Sequence, residues 1–300
     1  MTKRLRKKKQ RHLEHQKKSK LNLVTVVGYH SKTLNQLIEH YKDIVDDIKI
    51  VVYRNDINDT IQDKVEEIIK PYGLEVFDTV VAPIFNWEVV TSLYNKTKRT
   101  SPDDWWIVSD SDELHTYHKP IREIINECEE NGWEFVTGGF LDRIGRDGVF
   151  EEVNFDDNLW TKFPIAGFFR YPISKAMPNK CCVMKGRIDV TPGQHFALVE
   201  GQSTWRNLGW NHPLRYPIDN GFVQVNHFKW DSTVVDRLKH VASVEEDYTY
   251  HWEYKRMLDY ILSNDYKIPM DSEFLLEPMT TNDYYDYPHW DFLKEKIINV

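Results

Sequence analysis

Trp105-Trp106-Ile107-Val108-Ser109-Asp110-Ser111-Asp112-Glu113-Leu114 is the stretch on which the reading of this chain turns. Four apolar residues give way to three acids within four positions. A short apolar run bounded by polar residues reads as a buried strand. Asp110 and Asp112 then leave its carboxyl end, where open α/β sheets place their ligands. Alternation puts residues i and i+2 on one side of a strand, so the two carboxylates are expected to converge on one cation. Hard divalent ions such as Mg²⁺ and Mn²⁺ take carboxylates together with phosphate oxygens, which is how a nucleotide diphosphate is held for transfer. The same acids also suit a solvated turn or a helix N-cap, and a bare Asp-x-Asp is a weak motif.

Upstream, Leu23-Val24-Thr25-Val26-Val27-Gly28-Tyr29-His30 is a β-branched run closed by glycine, a first central strand. Over residues 33–46, Leu34, Leu37, Ile38, Tyr41, Ile44 and Val45 recur at helical spacing. Ile48 to Tyr53 reads as a second strand ending in Arg54-Asn55-Asp56, residues 59–70 as a helix stopped by Pro71, and Leu74 to Phe77 as a third strand. Trp87 to Asn95 reads as another helix before the acidic strand end. Strand and helix alternating in this rhythm predict an α/β fold with a mostly parallel sheet and crossover helices. No Gly-x-Gly-x-x-Gly follows the first strand and no Gly-Lys-Ser/Thr occurs, which disfavours dinucleotide enzymes and P-loop nucleoside triphosphatases.

Downstream, Pro120 to Glu130 reads as a helix, Glu134 to Phe140 as a strand, and Leu141-Asp142-Arg143-Ile144-Gly145-Arg146-Asp147-Gly148 as a turn. Asp142 and Arg143 are open to two readings there, a salt-bridged turn pair, or a sugar or acceptor contact beside a phosphate contact. Residues 151–220 are irregular and aromatic, with Lys180 to Gly186 a strand and Val190 to His195 a turn bearing His195. This half reads as an acceptor-side region built on the first half's sheet. Val223-Gln224-Val225-Asn226-His227-Phe228-Lys229-Trp230 alternates as a strand, and residues 231–262 have helical period. A lone histidine such as His227 is more often structural than a ligand. The aromatic tail after residue 263, with Tyr284, Tyr285, Tyr287 and Trp290, is expected to wrap back on the body.

Three hundred residues suffice for one large α/β domain or two small ones. No apolar run approaches the roughly 20 residues that cross a bilayer, and no signal-peptide core is present. Cys128, Cys181 and Cys182 make neither a disulfide framework nor a zinc site, so a reducing cytoplasm is the expected compartment. Residues 1–20 carry ten Lys/Arg against the single acid Glu14, leaving 29 basic and 46 acidic residues on the body. Such a tail suits a disordered solubilising arm, an anionic lipid contact or a nucleic-acid contact. Disorder in the free protein is the favoured reading.

Taken in order, these pieces resemble the family-2-type glycosyltransferases of GT-A fold, in their bacterial and phage branch. The likeness runs over about residues 22–245 and is carried by Val27-Gly28-Tyr29-His30, Tyr53-Arg54-Asn55-Asp56 and Val108-Ser109-Asp110-Ser111-Asp112-Glu113. Gly139-Phe140-Leu141-Asp142-Arg143, Leu159-Trp160-Thr161-Lys162-Phe163-Pro164, Gly193-Gln194-His195 and Asn226-His227-Phe228-Lys229-Trp230 extend it. The resemblance implies a Rossmann-like domain over 21–262, with 1–20 a basic tail and 263–300 an extension on the body. It implies that Asp110 and Asp112 hold Mn²⁺ or Mg²⁺ against the diphosphate of a nucleotide sugar. Gly28, Tyr29, His30, Asn55, Asp56 and Ser109 would hold the nucleoside, with Arg143 on phosphate. A late histidine often completes the metal set, His227 first and His195 second. An imidazole ligand makes Mn²⁺ the better guess.

Inversion by such enzymes needs a carboxylate base for the acceptor hydroxyl, here a saccharide or glycoconjugate hydroxyl. The family's usual acid motif is not plainly present, and Asp142 is the nearest candidate, with Glu200 and Asp156 behind it. Trp160 with Phe163, and Trp205 with Trp210, suit either sugar stacking or core packing. Two other classes compete. A nucleotidyltransferase would carry a basic, Gly-rich loop after the first strand, where Gly28-Tyr29-His30-Ser31 stands instead. A non-catalytic nucleotide-sugar or glycan-binding protein of this fold would have no need of both carboxylates.

Overall fold

The computed structural model describes residues 19–29, 31–82, 86–167, 179–200, 202–203, 212–221, 223–243 and 251–269. The first strand, β1 (Leu21–Val27), is buried at every position. A strand covered on both faces must be apolar nearly throughout. The helix α1 (Leu34–Tyr41) buries Leu34, Leu37, Ile38 and Tyr41, and the chain returns as β2 (Asp47–Arg54), parallel to β1. In α2 (Ile61–Ile69), Ile61, Val65 and Ile69 are buried at four-residue intervals, one stripe of the helix. A turn through Pro71 ends it, closed by Gly73 at φ 65°. The chain then enters β3 (Val76–Val81), parallel to β2. The next helix, α3 (Trp87–Lys98), starts at Asn86, whose side chain accepts the backbone N–H groups of Glu88 and Val89. It delivers β4 (Trp105–Val108) to the other side of β1.

After β4 come β5 (Glu113–Thr116), α4 (Ile121–Asn131), β6 (Phe135–Ile144), α5 (Leu159–Lys162), β7 (Ile165–Gly167) and β8 (Asn179–Lys185). A small sheet of β9 (Asp189–Val190), β10 (Ala197–Val199) and β11 (Gln202–Ser203) follows. The described chain finishes with β12 (Val223–His227), α6 (Val234–Ser243) and α7 (His251–Ser263). The main sheet runs β3-β2-β1-β4-β8-β6-β12-β5, with β7 on β6. It is mixed but mostly parallel, as expected, with β8, β5 and β7 reversed. Strand order changes direction between β1 and β4, the switch point at which open α/β sheets form a crevice.

Direction decides the rest. The carboxyl ends of β1, β2, β4, β6 and β12 and the amino ends of β8 and β5 all come to one edge of the sheet. The apolar faces on either side of that sheet, one centred on Ile107 and Leu37, the other on Trp106 and Tyr94, form the core. A third cluster joins Ile144 and Trp230 to Val234, Leu238, Met257 and Ile261 of the last two helices.

Three expectations change. The turn expected from Leu141 begins only at Gly145, because β12 pairs Asp142 with His227 and β7 pairs residues 142–144, drawing them into β6. Glu113–Thr116 forms a strand that pattern reading passed over, since it exists only by pairing with β12. The helical sequence from 231 onward is two helices, and Lys229 and Trp230 lie beyond β12. The basic tail up to residue 18 and the aromatic tail from residue 270 lie outside the described residues. Among the described residues no helix is long and apolar enough to cross a membrane.

Candidate functional site

Ser109 to Asp112 turn the chain from β4 into β5, so the side chains of Asp110 and Asp112 do not alternate as on a strand. The Ser109 hydroxyl donates to the Glu113 carbonyl at 2.6 Å and braces this turn from a fully buried position. The two aspartates face different neighbours.

Asp110 faces β8. Its Oδ1 accepts the Tyr94 hydroxyl at 2.6 Å and Gln194 Nε2 at 3.3 Å, and its Oδ2 lies 3.5 Å from Lys180 Nζ. Lys180 Nζ also meets Glu113 Oε1 at 2.6 Å and donates to Gln194 Oε1 at 2.9 Å. Gln194 is buried in left-handed backbone at φ 55°, a conformation costly for a residue with a Cβ. Its carboxamide bridges the ammonium and the carboxylate. Burial pushes the Glu113 carboxyl up to about 7, against the pull of Lys180. Burial alone would lower Lys180, but Glu113 and Asp110 outweigh it and hold the ammonium above its usual range.

Asp112 faces β12. Its Oδ2 lies 3.6 Å from His227 Nε2 and 3.8 Å from Arg237 Nη1 of α6. On the other side of the ring, His227 Nδ1 sits 2.9 Å from Asp142 Oδ1, which also accepts the Trp230 indole N–H at 2.8 Å. Burial disfavours the His227 imidazolium, yet Asp112 and Asp142 together raise its pKa to about 9. A histidine whose Nδ1 is fixed by a carboxylate presents its Nε2 in a defined direction, the arrangement common to metal-ligating imidazoles.

The remaining expected residues divide. Gly28 closes β1 with Tyr53 O and Cβ 3.5 Å from where its own Cβ would stand, an ordinary packing distance between paired strands. Tyr29 follows at φ 41°, its ring edge-on to His240 at 5.2 Å. His30 lies outside the described residues. Asn55 and Asp56 begin the turn after β2, where Asn55 N–H donates to Asp59 and Asp56 accepts from Asn58 N–H. Buried Asn55 Oδ1 has no partner among the described residues. Arg143 turns away from the edge, donating to the Phe163 carbonyl at 3.2 Å and stacking 5.0 Å from the Trp160 ring. Phe163 packs against Phe228, so this aromatic pair belongs to the core. Trp205 and Trp210 lie outside the described residues.

His195 is tied to Asn179, Nδ1 to carbonyl at 2.9 Å, and burial lowers its pKa to about 4. Glu200 is exposed at the β10–β11 turn at φ 51°, and Asp156 is exposed before α5. Sequence reading missed Tyr94, Lys180, Gln194, Trp230 and Arg237. Lys180 carried a signal, a charged residue leading into the buried run Cys181-Cys182-Val183-Met184.

Asp112 and His227 supply an oxygen and a nitrogen donor, with the Asp142 carboxylate behind the imidazole, a donor set whose chemistry suits Mn²⁺. As the side chains stand, no group of three His, Cys, Asp or Glu residues among those described closes on one point. The carboxylates of Asp110 and Asp112 both remain partly accessible at the sheet edge.

No protein-family profile matches the chain. No curated protein matches it either. Solved structures with a similar course of the backbone include a mannose-6-phosphate isomerase from Helicobacter pylori, at 14% identity and TM-score 0.31, over 56% of this chain and 71% of that one. Another is a putative glucose-1-phosphate thymidylyltransferase from Bacillus anthracis, at 9% identity and TM-score 0.29, over 85% of this chain and 87% of that one. A third is S. aureus TarS, at 13% identity and TM-score 0.31, over 84% of this chain and 44% of that one. Likeness this slight carries no functional inference, and the chemistry rests on the residues at the sheet edge.

Proposed function

We propose that the chain is a metal-dependent glycosyltransferase of GT-A type that moves a sugar from a nucleotide-diphosphate sugar to an acceptor hydroxyl with inversion. The observation that supports this is the Asp112–His227–Asp142 chain beside Asp110, at the carboxyl edge next to the β1/β4 switch point. Asp110, Asp112 and His227 would hold Mn²⁺ or Mg²⁺. The ion, when bound, neutralises charge growing on the departing nucleoside diphosphate. Asp142 keeps the His227 ring oriented through Nδ1. The Oδ1 of Asn55, buried with no partner among the described residues, suits a nucleoside seated across the ends of β1 and β2. Of the three acids expected as base, Asp142 stands in this cluster, and Glu200 and Asp156 do not. The acceptor is proposed to be a saccharide or glycoconjugate, with the basic tail a possible contact for anionic lipid or nucleic acid.

Thermal unfolding with a panel of nucleoside diphosphates, each with and without Mn²⁺, tests the reading on wild type and Asp112→Ala. A ligand at a hundred times its dissociation constant adds about 2.7 kcal/mol. One nucleotide is expected to stabilise wild type only with metal and to leave the variant unshifted. If no nucleotide shifts wild type with any metal, the transferase reading is wrong.

A further inference from the structure

Two neutral side chains grip the same oxygen of Asp110. The Tyr94 hydroxyl donates to Oδ1 at 2.6 Å, and Gln194 Nε2 donates to it at 3.3 Å. Tyr94 stands on α3, fully buried, and its oxygen also accepts the Val26 N–H of β1 at 3.2 Å. Gln194 comes from the turn between β9 and β10. Asn95, the next residue of α3, ties the two supports together. Its Nδ2 donates to the Val190 carbonyl at 3.1 Å, its Oδ1 accepts the Val190 N–H at 2.9 Å, and Gln194 N–H closes on the Thr191 carbonyl at 2.9 Å. Helix and turn form one bracket against one side of the carboxylate.

The backbone shows that this bracket is not the cheapest packing. Gln194 is buried at φ 55°, a left-handed conformation that a residue with a Cβ adopts only at a cost. Strain of this kind persists where the surroundings over-determine it, and it collects at functional sites. What it delivers here is the carboxamide. Oε1 accepts from Lys180 Nζ at 2.9 Å, which fixes that end and turns Nε2 toward Asp110. A hydroxyl and an amide N–H are neutral donors, so they set a carboxylate's direction without cancelling its charge. With Oδ1 taken twice, Oδ2 meets only Lys180 Nζ among the described residues, at 3.5 Å. Asp110 is held in one orientation with one oxygen left for an incoming cation.

We propose that Tyr94 and Gln194 are positioning residues that aim the Asp110 carboxylate, holding Oδ1 and leaving Oδ2 for the divalent ion. The inference deepens the proposed function and rests on that reading for the presence of the ion. Mn²⁺ is titrated calorimetrically into wild type, Tyr94→Phe, Gln194→Asn and Asn86→Ala, and the electron paramagnetic resonance line shape of the bound ion is recorded for each. A nucleoside diphosphate is then titrated at saturating Mn²⁺. Tyr94→Phe removes one oxygen and keeps the ring. Asparagine tolerates left-handed backbone, so Gln194→Asn keeps the turn and draws the carboxamide back by one methylene. Asn86→Ala weakens the start of the same helix without touching Asp110, which separates lost stability from lost aim. Melting curves confirm each fold, and if one of the two site variants does not fold the other carries the test.

Expected is a loss of about tenfold in Mn²⁺ affinity in Tyr94→Phe and in Gln194→Asn, with an altered line shape, and neither change in Asn86→Ala. Mn²⁺ bound by both site variants as tightly as by wild type, with the same line shape, overturns the positioning role and leaves the proposed function standing. An equal loss in Asn86→Ala overturns it too, because a weakened helix would then account for the effect. A loss in only one site variant assigns the role to that residue and removes it from the other. Wild type that binds no Mn²⁺ removes the metal-dependent reading and this role with it. Mn²⁺ binding that depends on Tyr94 and Gln194, with no nucleoside diphosphate bound at saturating Mn²⁺, upholds the role and removes the transferase reading instead.

Discussion

Two buried lysines at opposite edges of the same sheet are treated in opposite ways. At the carboxyl edge, Lys180 at the start of β8 meets Glu113 at 2.6 Å, Asp110 at 3.5 Å and Gln194 at 2.9 Å. At the amino edge, Lys98 at the end of α3 reaches the Ile188 carbonyl and Met184 Sδ, with no carboxylate in ion-pairing distance among the described residues. Charge is kept at the first edge and shed at the second. Burial lowers Lys98 to about 7, while the acids hold Lys180 charged. A protein that tolerates a neutral amine for packing could have done so at both edges. The carboxyl edge instead assembles acids, ammonium and imidazolium, which is the arrangement of a site rather than of a core.

The largest test of this contrast is Glu113→Gln. It strips the nearest anion from a buried ammonium and should cost about 3–5 kcal/mol, read from urea unfolding. The double variant Glu113→Gln/Lys180→Met should recover more than half of that loss, because both charges then leave together. A single variant as stable as wild type would remove the charge-against-charge account of this edge.

Lys98→Met works in the opposite direction. Lys98 titrates near 7 in the folded chain and near 10.5 when unfolded. Between those values the unfolded chain holds the extra proton, so stability should rise with pH across that window, and the cost of the amine is largest below it. The variant should be more stable than wild type at pH 6 by about 2–3 kcal/mol. The gap should close by pH 10.

His227 gives a smaller, opposing slope. Its pKa rises from 6.5 to about 9 on folding, so its contribution is fully present below 6.5 and is lost as pH climbs through 9. A metal must displace that proton. Mn²⁺ affinity is therefore expected to increase by up to about tenfold per pH unit between pH 7 and 9. An affinity flat over that range would exclude His227 as a ligand. The smallest effect belongs to α3, which links the two edges. Asn86→Ala removes its N-cap and should cost about 1 kcal/mol in thermal or urea unfolding, with Mn²⁺ affinity unchanged.

Much of the β3-β2-β1-β4 half of the sheet is legible in the sequence alone. The runs Leu23–Val27, Ile48–Tyr53 and Trp105–Val108 are apolar enough to be central strands, and Leu34, Leu37, Ile38 and Tyr41 announce the crossover helix by period alone. Local chemistry suffices there because each run is apolar enough to be read as a buried strand by itself, whichever strand it pairs with. The other half resists for the reverse reason. Glu113–Thr116 becomes a strand by pairing with residues more than a hundred positions away, and Asp142 is a strand residue only because β12 lies against it.

The sequence by itself determined that acids follow a buried strand, that a histidine stands on a late alternating strand, and that the architecture is α/β with a mostly parallel sheet. Local pattern carries that information, since burial and periodicity are properties of neighbouring residues. Only the tertiary structure decided which side chains meet. The turn after β4 separates Asp110 from Asp112, sending one to Lys180 and Gln194 and the other to His227 and Arg237. Those partners come from β8, the Gly193–Gln194 turn, β12 and α6, brought together by strand direction and by the order of the sheet, which no local pattern encodes.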